Sequence, residues 1–227
     1  MISIIIPTYN EADNIGTLIA HIKATAGSFP FEIIVSDGGS NDHTVSIANN
    51  AGVVVLRSPK KGRAPQMNFA ASMASGSIFY FVHADTLPPI DFFQLIQDAV
   101  NNHFEVGRFQ TKFDSSSLLF KLNAFFTRFD WFMCYGGDQT LFITRNLFEF
   151  IGGFNEEKLI MEDFDITQRA KEKGKYIIFK KSALVSVRKY EKNSWFRVQK
   201  ANYTAVQLYK KGASSAEVAS FYKNYLK

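Results

Sequence analysis

Three short stretches of this 227-residue chain carry the side chains that could do chemistry. In "YFVHADTLPP" (80–89) a strand-like apolar run leads to His83 and Asp85 and stops at a proline pair. Residues two apart on an extended chain share a face, so His83 and Asp85 are expected to address one point beyond the sheet. A carboxylate there, with no cation among its sequence neighbours, suits a divalent metal ion shared with a ligand's phosphates. It suits equally a cap on the next turn, helped by Thr86 and Pro88, and spacing leaves the two open. In "VSDGGSND" (35–42), Asp37 could accept N–H bonds from a nucleobase, or with Asp42 it could cap a helix. "MEDFD" (161–165) sets Glu162, Asp163 and Asp165 near a helix start, where acids complement the helix dipole. The same cluster could hold a general base whose proton affinity its neighbours raise.

Other chemistries lack their residues. There is no G-x-x-x-x-G-K-[ST] phosphate loop, no G-x-G-x-x-G after the first strand and no G-x-S-x-G elbow. His21, His43, His83 and His103 have no zinc-like spacing.

The elements that must position these residues alternate. "ISIII" (2–6) reads as a buried strand. Asp13 is placed to cap a helix with Ile15, Leu18, Ile19 and Ile22 on its apolar face. "FEIIV" (31–35), "VVVL" (53–56) and "IFYFV" (78–82) read as strands. Helices are expected from about His43, over "APQMNFAASMA" (64–74) and from Asp91 to Asn101. This alternation predicts an α/β fold, a mostly parallel sheet flanked by helices on both faces. Its ligand would sit at the strands' carboxyl ends, where the loops 7–11, 36–42 and 83–86 converge. The second half is less regular. It reads as strands over 105–113, 139–145 and 175–188 and a helix over 163–173. An amphipathic helix is expected over 118–134, with Leu118, Leu122, Phe125, Phe129 and Phe132 on one face. A C-terminal helical extension ends in a helix started by the capping box Ser214–Glu217.

Composition narrows the partners. A net charge of +5 suits a phosphate-bearing ligand or an anionic membrane and is too weak to argue for nucleic acid. A single cysteine, Cys134, permits no internal disulfide and fits a reducing compartment. No run reaches about 18 apolar residues, so a cytoplasmic protein with neither span nor signal peptide is expected. The chain has 23 phenylalanines, concentrated from Phe79 to Phe164, which read first as core and second as an apolar acceptor groove or membrane face.

Taken in order, "SIIIPTYNEADNI", "EIIVSDGGSNDHT", "GRAPQMNFAA", "FVHADTLPP" and "MEDFD" resemble glycosyltransferase family 2, inverting enzymes of GT-A fold. The likeness runs from residue 1 to about 190. "GRAPQMN", "HADT" and "GDQTLFITR…GGF…MED" look closest to a bacterial branch of arsenosugar-biosynthesis-type glycosyltransferases. The resemblance implies a catalytic domain over 1–190 and a helical extension over 191–227. Within the domain it implies a nucleotide-binding half (1–103) and an acceptor-side half (104–190). It implies a nucleoside diphosphate sugar donor, a small-molecule or lipid-linked acceptor and a divalent cation. Pro7, Thr8, Tyr9 and Glu11 would line the nucleotide pocket, Asp37 would read the base, and Gly62 and Arg63 would approach the ribose and diphosphate. Asp85 would hold the metal ion. His83 stands where many relatives have the first Asp of an Asp-x-Asp motif. That departure leaves the ion open between Mn²⁺ and Mg²⁺, imidazole suiting the former better. Asp163 matches the catalytic base and Glu162 its neighbour. Gly137, Asp138 and Gln139 fall in the acceptor-side loop. Arg188 stands roughly at the place of a diphosphate-contacting residue, with Lys189 where a tryptophan often follows.

Two rivals remain at this point. One is an enzyme acting on a polyprenyl-phosphate acceptor with peripheral contact to the membrane's inner face, which the aromatic stretch 118–134 would support. The other is a non-catalytic sugar-nucleotide-binding protein, against which the retained Asp85, Glu162 and Asp163 argue.

Overall fold

Strands covered on both faces read as near-continuous apolar runs, and Ile2–Thr8 (β1) is buried at every position. In the computed structural model, which describes residues 1–135 and 139–226, β1 lies at the centre of the amino-terminal half. It is followed by the strands Phe31–Asp37 (β2), Val54–Arg57 (β3) and Ile78–Phe81 (β4). β1 pairs in parallel with both β2 and β4, and β2 with β3. The connections are helices: Ala12–Thr25 (α1), Thr44–Asn50 (α2) and Arg63–Met73 (α3), with Phe92–Asn101 (α4) following the short strand Thr86–Leu87 (β5).

The second half adds Val106–Phe113 (β6), Leu141–Thr144 (β7) and Tyr176–Val185 (β8). Among the described residues the eight strands form one sheet in the order β3-β2-β1-β4-β7-β6-β8-β5. Four of its seven neighbouring pairs are parallel. The three antiparallel ones are β4 with β7, β6 with β7 and β5 with β8. The sheet is therefore mixed, with its parallel run on the amino-terminal side. The second half also supplies the helices Leu118–Phe126 (α5), Arg145–Phe150 (α6), Glu162–Lys173 (α7), Trp195–Lys210 (α8) and Ser215–Tyr225 (α9).

Period-two alternation divides the core. Ile2, Ile4 and Ile6 of β1 and Ile78 and Tyr80 of β4 face α1 and α4, where Ile15, Leu18, Ile19, Phe92 and Phe93 are buried. Ile5, Phe79 and Phe81 face the other way, onto Ala64, Met67 and Ala70 of α3 and Ile166 of α7. The apolar face expected of α1 is the buried one. Asp13 is not its cap: the helix starts at Ala12 after Glu11, and Asp13 lies within the first turn.

Two other expectations need correction. β4 ends at Phe81, and residues 83–86 form a turn closed by the Thr86 N–H donating to His83 O at 3.1 Å. His83 and Asp85 thus project from a turn and not from an extended strand. The helix expected over 118–134 ends at Phe126, and Phe132–Cys134 form a separate 3₁₀ turn. The cause is Arg108, 2% exposed on β6. Its guanidinium donates to Thr127 O at 2.7 Å and Phe129 O at 3.1 Å, carbonyls that a continuing helix would use itself. Thr127 Oγ1 donates back to Ala124 O and accepts from the Thr111 N–H, fixing the break. Phe132 packs on Phe164, while Leu118, Leu122, Phe125, Phe126 and Trp131 stay exposed.

Arg108→Leu should therefore lower unfolding free energy by about 2–4 kcal/mol, because a buried carbonyl and a half-buried one lose a charged donor. Urea denaturation measures the loss, and hydrogen exchange should rise selectively over 127–135.

Candidate active site

The carboxyl ends of β1, β2 and β4 are tied into one surface by their own loops. The Gln66 amide of α3, 4% exposed, donates to both Thr8 O and Ser36 O. A Cβ on Gly38 would stand 3.0 Å from the same amide, so a larger residue there would press on the group that ties the two strand ends. Across the two loops, the Asn10 N–H donates to Ser40 Oγ at 2.8 Å, and the Asn41 N–H returns a bond to Asn10 Oδ1. Asp42 accepts from Thr44 and from the Ala12 N–H, which binds the starts of α2 and α1 together. These bonds, the Thr44 hydroxyl foremost, hold its carboxyl below the usual range.

On this frame the expected nucleotide-side residues gather. Pro7 and Thr8 are buried at the end of β1, and Tyr9 beyond them is 52% exposed. Asp37 is 3% exposed and accepts from the Gly39 and Ser40 N–H groups and the Ser40 hydroxyl, so its carboxylate fixes the loop's shape. Glu11 receives Arg188 Nη2 at 2.8 Å on both oxygens, a contact across 177 positions of sequence. Asp85 and Asp13 add to the negative field on Arg188, whose proton is held more tightly still, chiefly through Glu11. The Ser186 N–H donates to Asp85 O, fastening the 83–86 turn to the end of β8.

The acids of "MEDFD" separate into three roles by contact. Asp165 pairs with Arg169 at 2.6 Å, and Arg169 also holds Ile151 O and Gly153 O, so this pair anchors α7 to the preceding loop. Glu162 is 1% exposed, with Arg63 Nε 2.7 Å from its Oε1. The contact is an ion pair without an aligned hydrogen bond. Burial pushes the Glu162 carboxyl up, Arg63 pulls it down and Asp163 raises it again. Asp163 is 16% exposed, and its Oδ2 lies 3.9 Å from both Arg63 Nη1 and His83 Nε2. Gly62, at φ 121°, delivers Arg63 to the first position of α3. Met161 takes a left-handed φ of 69° just before Glu162, a conformation costing about 1–3 kcal/mol in a side-chain-bearing residue.

Asp163 and Arg63 also line a cavity of about 410 Å³, closed by Met161 and Phe164 of the α7 start and by Trp195, Asn202 and Tyr203 of α8. Tyr222 of α9 lines it too, its hydroxyl donating to Asn202 Oδ1 at 2.7 Å. Sequence reasoning missed this wall: the tail was read only as helices, and its aromatic and carboxamide residues follow no motif. Of the expected acceptor-side residues, Gln139 lines a neighbouring cavity of about 380 Å³, while Gly137 and Asp138 lie outside the described residues.

For a cation, the 83–86 turn offers one carboxylate and one imidazole. Among the described residues no three His, Cys, Asp or Glu side chains come close enough to hold a metal ion by themselves. That donor set fits an ion such as Mg²⁺ or Mn²⁺ that takes one or two protein ligands and completes its shell from phosphate and water.

The sheet, its helices and the strand-end site define a GT-A-type glycosyltransferase. The family model for glycosyl transferase family 2 matches residues 3–155, and the chain belongs to that family. It is 31% identical over 190 residues to the PGL/p-HBAD biosynthesis glycosyltransferases of Mycobacterium tuberculosis and Mycobacterium bovis, a match spanning 74% of this chain and 69% of theirs. Two solved structures share the fold at 18% identity. Staphylococcus aureus TarS 1–349 in complex with UDP-GlcNAc matches 99% of this chain and 71% of its own, with a TM-score of 0.68. The mannosyltransferase PcManGT of Pyrobaculum calidifontis, in complex with GDP-Man and Mn²⁺, matches 90% and 61% at 0.67.

The Glu162 arrangement has a pH consequence. A carboxyl raised in the folded state contributes fully below its ordinary value of 4.5, and the contribution fades as pH rises through the folded value. Glu162→Gln removes that penalty while keeping an acceptor oxygen. The variant should match the parent's melting temperature near pH 4 and exceed it at pH 7, as scanning calorimetry across that range would read.

Proposed function

We propose that this glycosyltransferase moves a sugar from a nucleoside diphosphate donor to an acceptor hydroxyl by a single inverting displacement. Asp163 is the base. The observation that carries this reading is its double membership: Asp163 belongs to the Arg63–His83–Glu162 cluster and also lines the 410 Å³ cavity. A hydroxyl entering from that cavity would meet the carboxylate at the sheet's ligand end, where a base must stand.

The acceptor oxygen attacks the anomeric carbon, the bond from that carbon to the diphosphate oxygen breaks, and the acceptor proton passes to Asp163. Glu162, buried and paired with Arg63, keeps that guanidinium aimed along the base. Arg63 and Arg188 are placed to meet the departing negative charge, Arg188 by exchanging part of its bond to Glu11. Asp85, with His83, would hold the divalent cation, and that ion when bound supplies further neutralisation of the diphosphate. Tyr9, exposed at the end of β1, is positioned to stack on the base, next to the loop that Asp37 shapes. The nucleotide-binding half over 1–103 and the acceptor-side half over 104–190 follow from this division of labour, with the 191–227 extension walling the cavity. The motif run "GRAPQMN…HADT…MED" supports the arsenosugar-biosynthesis-type branch within the family. The TarS and PcManGT complexes support a sugar-nucleotide donor, and the latter a divalent cation.

The base and the metal residue separate in one paired experiment. Asp163→Asn should cut kcat by roughly 10²–10⁴ and leave nucleotide affinity nearly unchanged. Asp85→Asn should weaken Mn²⁺-dependent binding of UDP or GDP, measured by calorimetry, by about 2–5 kcal/mol. Near-parental turnover in Asp163→Asn alongside a dead Glu162→Gln would move the base to the neighbouring carboxylate.

A second reading rests on the exposed aromatic surface. Leu118, Leu122, Phe125, Phe126 and Trp131 face solvent together, with Lys121 exposed nearby and Arg128 stacked 4.1 Å over the Phe125 ring. Aromatic and aliphatic groups beside cations suit peripheral contact with an anionic bilayer, where a lipid-linked acceptor would be met. No helix of the described residues is long and apolar enough to cross a membrane. Liposomes containing phosphatidylglycerol should sediment the protein, and Phe125→Ser with Trp131→Ser should abolish this. No sedimentation of the parent would remove the membrane contact.

A further inference from the structure

The cavity beside Asp163 has a chemical character of its own. Among the described residues that line it, Arg63 and Asp163 are the only charged ones, and they stand together at its catalytic end. Arg63 is already paired with the buried Glu162 at 2.7 Å. No lysine, histidine or second arginine contributes to the remainder, which is built from aromatic rings, apolar side chains and two carboxamides, Gln199 and Asn202. The volume of about 410 Å³ falls within the range of about 300–1,000 Å³ typical of small-molecule sites.

A phosphorylated or carboxylated acceptor bound here would need a cationic or charge-assisted partner away from the catalytic end, because an unpaired anion is costly to desolvate. Among the described residues the walls provide none. They provide instead what a neutral ring bearing hydroxyls uses. Trp195, Tyr203 and Tyr222 present ring faces and edges to C–H surfaces, while carboxamides both donate and accept. Two observations bear on the polar groups. The buried indole N–H of Trp195 has no hydrogen-bond partner among the described residues. Asn202 Oδ1 is held by the Tyr222 hydroxyl, which fixes the orientation of the amide across two helices. Asn202 and Gln199 also line the second cavity, so the carboxamides stand between the two spaces.

Resting on the base assignment above, we infer that the acceptor is an uncharged, ring-bearing polyol, a glycoside, and that α8 and α9 form its binding subsite. The acceptor ring lies against Trp195 and Tyr203. Asn202 bonds a hydroxyl that does not react, and the reacting hydroxyl points toward Asp163. The helical extension is thereby part of the substrate site, and acceptor choice is written in the tail of the chain.

The chain has two tryptophans, so Trp131→Phe leaves Trp195 as the sole tryptophan reporter, excited selectively over the tyrosines. The full-length protein with Mn²⁺ and UDP or GDP would be titrated with methyl and phenyl glycosides of glucose, galactose, mannose and N-acetylglucosamine. Glucose 1-phosphate and glucose 6-phosphate are the anionic comparison. At least one neutral glycoside should change Trp195 fluorescence saturably, with the sugar phosphates at least about tenfold weaker. Asn202→Ala should weaken the effective glycoside about five- to tenfold, the value of one neutral hydrogen bond. Tyr203→Ala, at a side chain 56% exposed and so outside the core, should weaken it comparably. Sugar phosphates binding as tightly as their neutral counterparts would overturn the inference. So would no response to any neutral glycoside while calorimetry still shows nucleotide binding, an outcome that leaves the donor site standing. Glycoside binding unchanged in both Asn202→Ala and Tyr203→Ala would place the acceptor elsewhere.

Discussion

The ion pair between Arg63 and Glu162 is the constraint on which the site depends. Glu162 is 1% exposed, and a carboxylate in that position needs a counter-charge or it takes up a proton. Among the described residues, the guanidinium brought to it comes from the first residue of α3, where the helix dipole disfavours a cation. At the other end of the pair, Glu162 and Asp163 occupy the first turn of α7, where the dipole favours them. The favourable end therefore holds the unfavourable one in place. One contact of 2.7 Å joins the α3 start to the α7 start, the two places that the proposed mechanism gives to donor and acceptor. Replacing such a pair by apolar residues would often stabilise a fold, so its presence at the strand ends points to chemistry and not to stability.

The donor side obeys a related economy of charge. Glu11, Asp37 and Asp85 bring three acids to the ends of three strands. Asp37 spends its oxygens on the Gly39 and Ser40 amides, and Glu11 is covered by Arg188. Asp85 sits between the Arg188 field and the start of the β5–β8 pairing, its backbone tied to Ser186. Negative charge is thus neutralised within the loops wherever shape must be kept. At the 83–86 turn Asp85 lies in the field of Arg188, and in the proposed mechanism a cation and a diphosphate would share its charge. The proline pair at 88–89 belongs to the same design, since it follows immediately on β5 and stops that strand after two residues.

Much of this was legible before any coordinates. The spacing of Ile15, Leu18, Ile19 and Ile22 is the buried face of α1, and the Ser214–Glu217 capping box starts α9 with both bonds formed. Local patterns of that kind are visible because the interactions deciding them lie within one turn or one strand. What was hidden depends on partners far away in sequence. The aromatic run from Leu118 obeys helical spacing through Phe132, but Arg108, 19 positions before Thr127, takes the carbonyls that the helix would need. The pairing of Glu11 with Arg188 spans 177 positions, and nothing near either residue announces it. The motif residues could be placed by family likeness, whereas the α8 wall of the cavity could not. An aromatic or carboxamide on an amphipathic helix looks the same whether it faces a core, water or a ligand.

The division between Glu162 and Asp163 follows from exposure more than from acidity. Both belong to one turn of α7, and Asp163 is among the groups that raise the Glu162 carboxyl. Glu162 is enclosed and bound to Arg63, so a proton arriving there would have to displace the pair that joins the two halves. Asp163 keeps 16% exposure, stands 3.9 Å from Arg63 and His83, and borders the cavity. A proton can reach it without breaking that pair. Arg63 and the Glu162 carboxyl both border it, so groups of opposite sign meet at this carboxylate. The mechanism proposed above asks of a base at this place that it accept a proton as the acceptor oxygen attacks. In the proposed mechanism the buried acid and its arginine hold their place beside the exposed one, so two adjacent carboxylates divide between them what one would otherwise have to do.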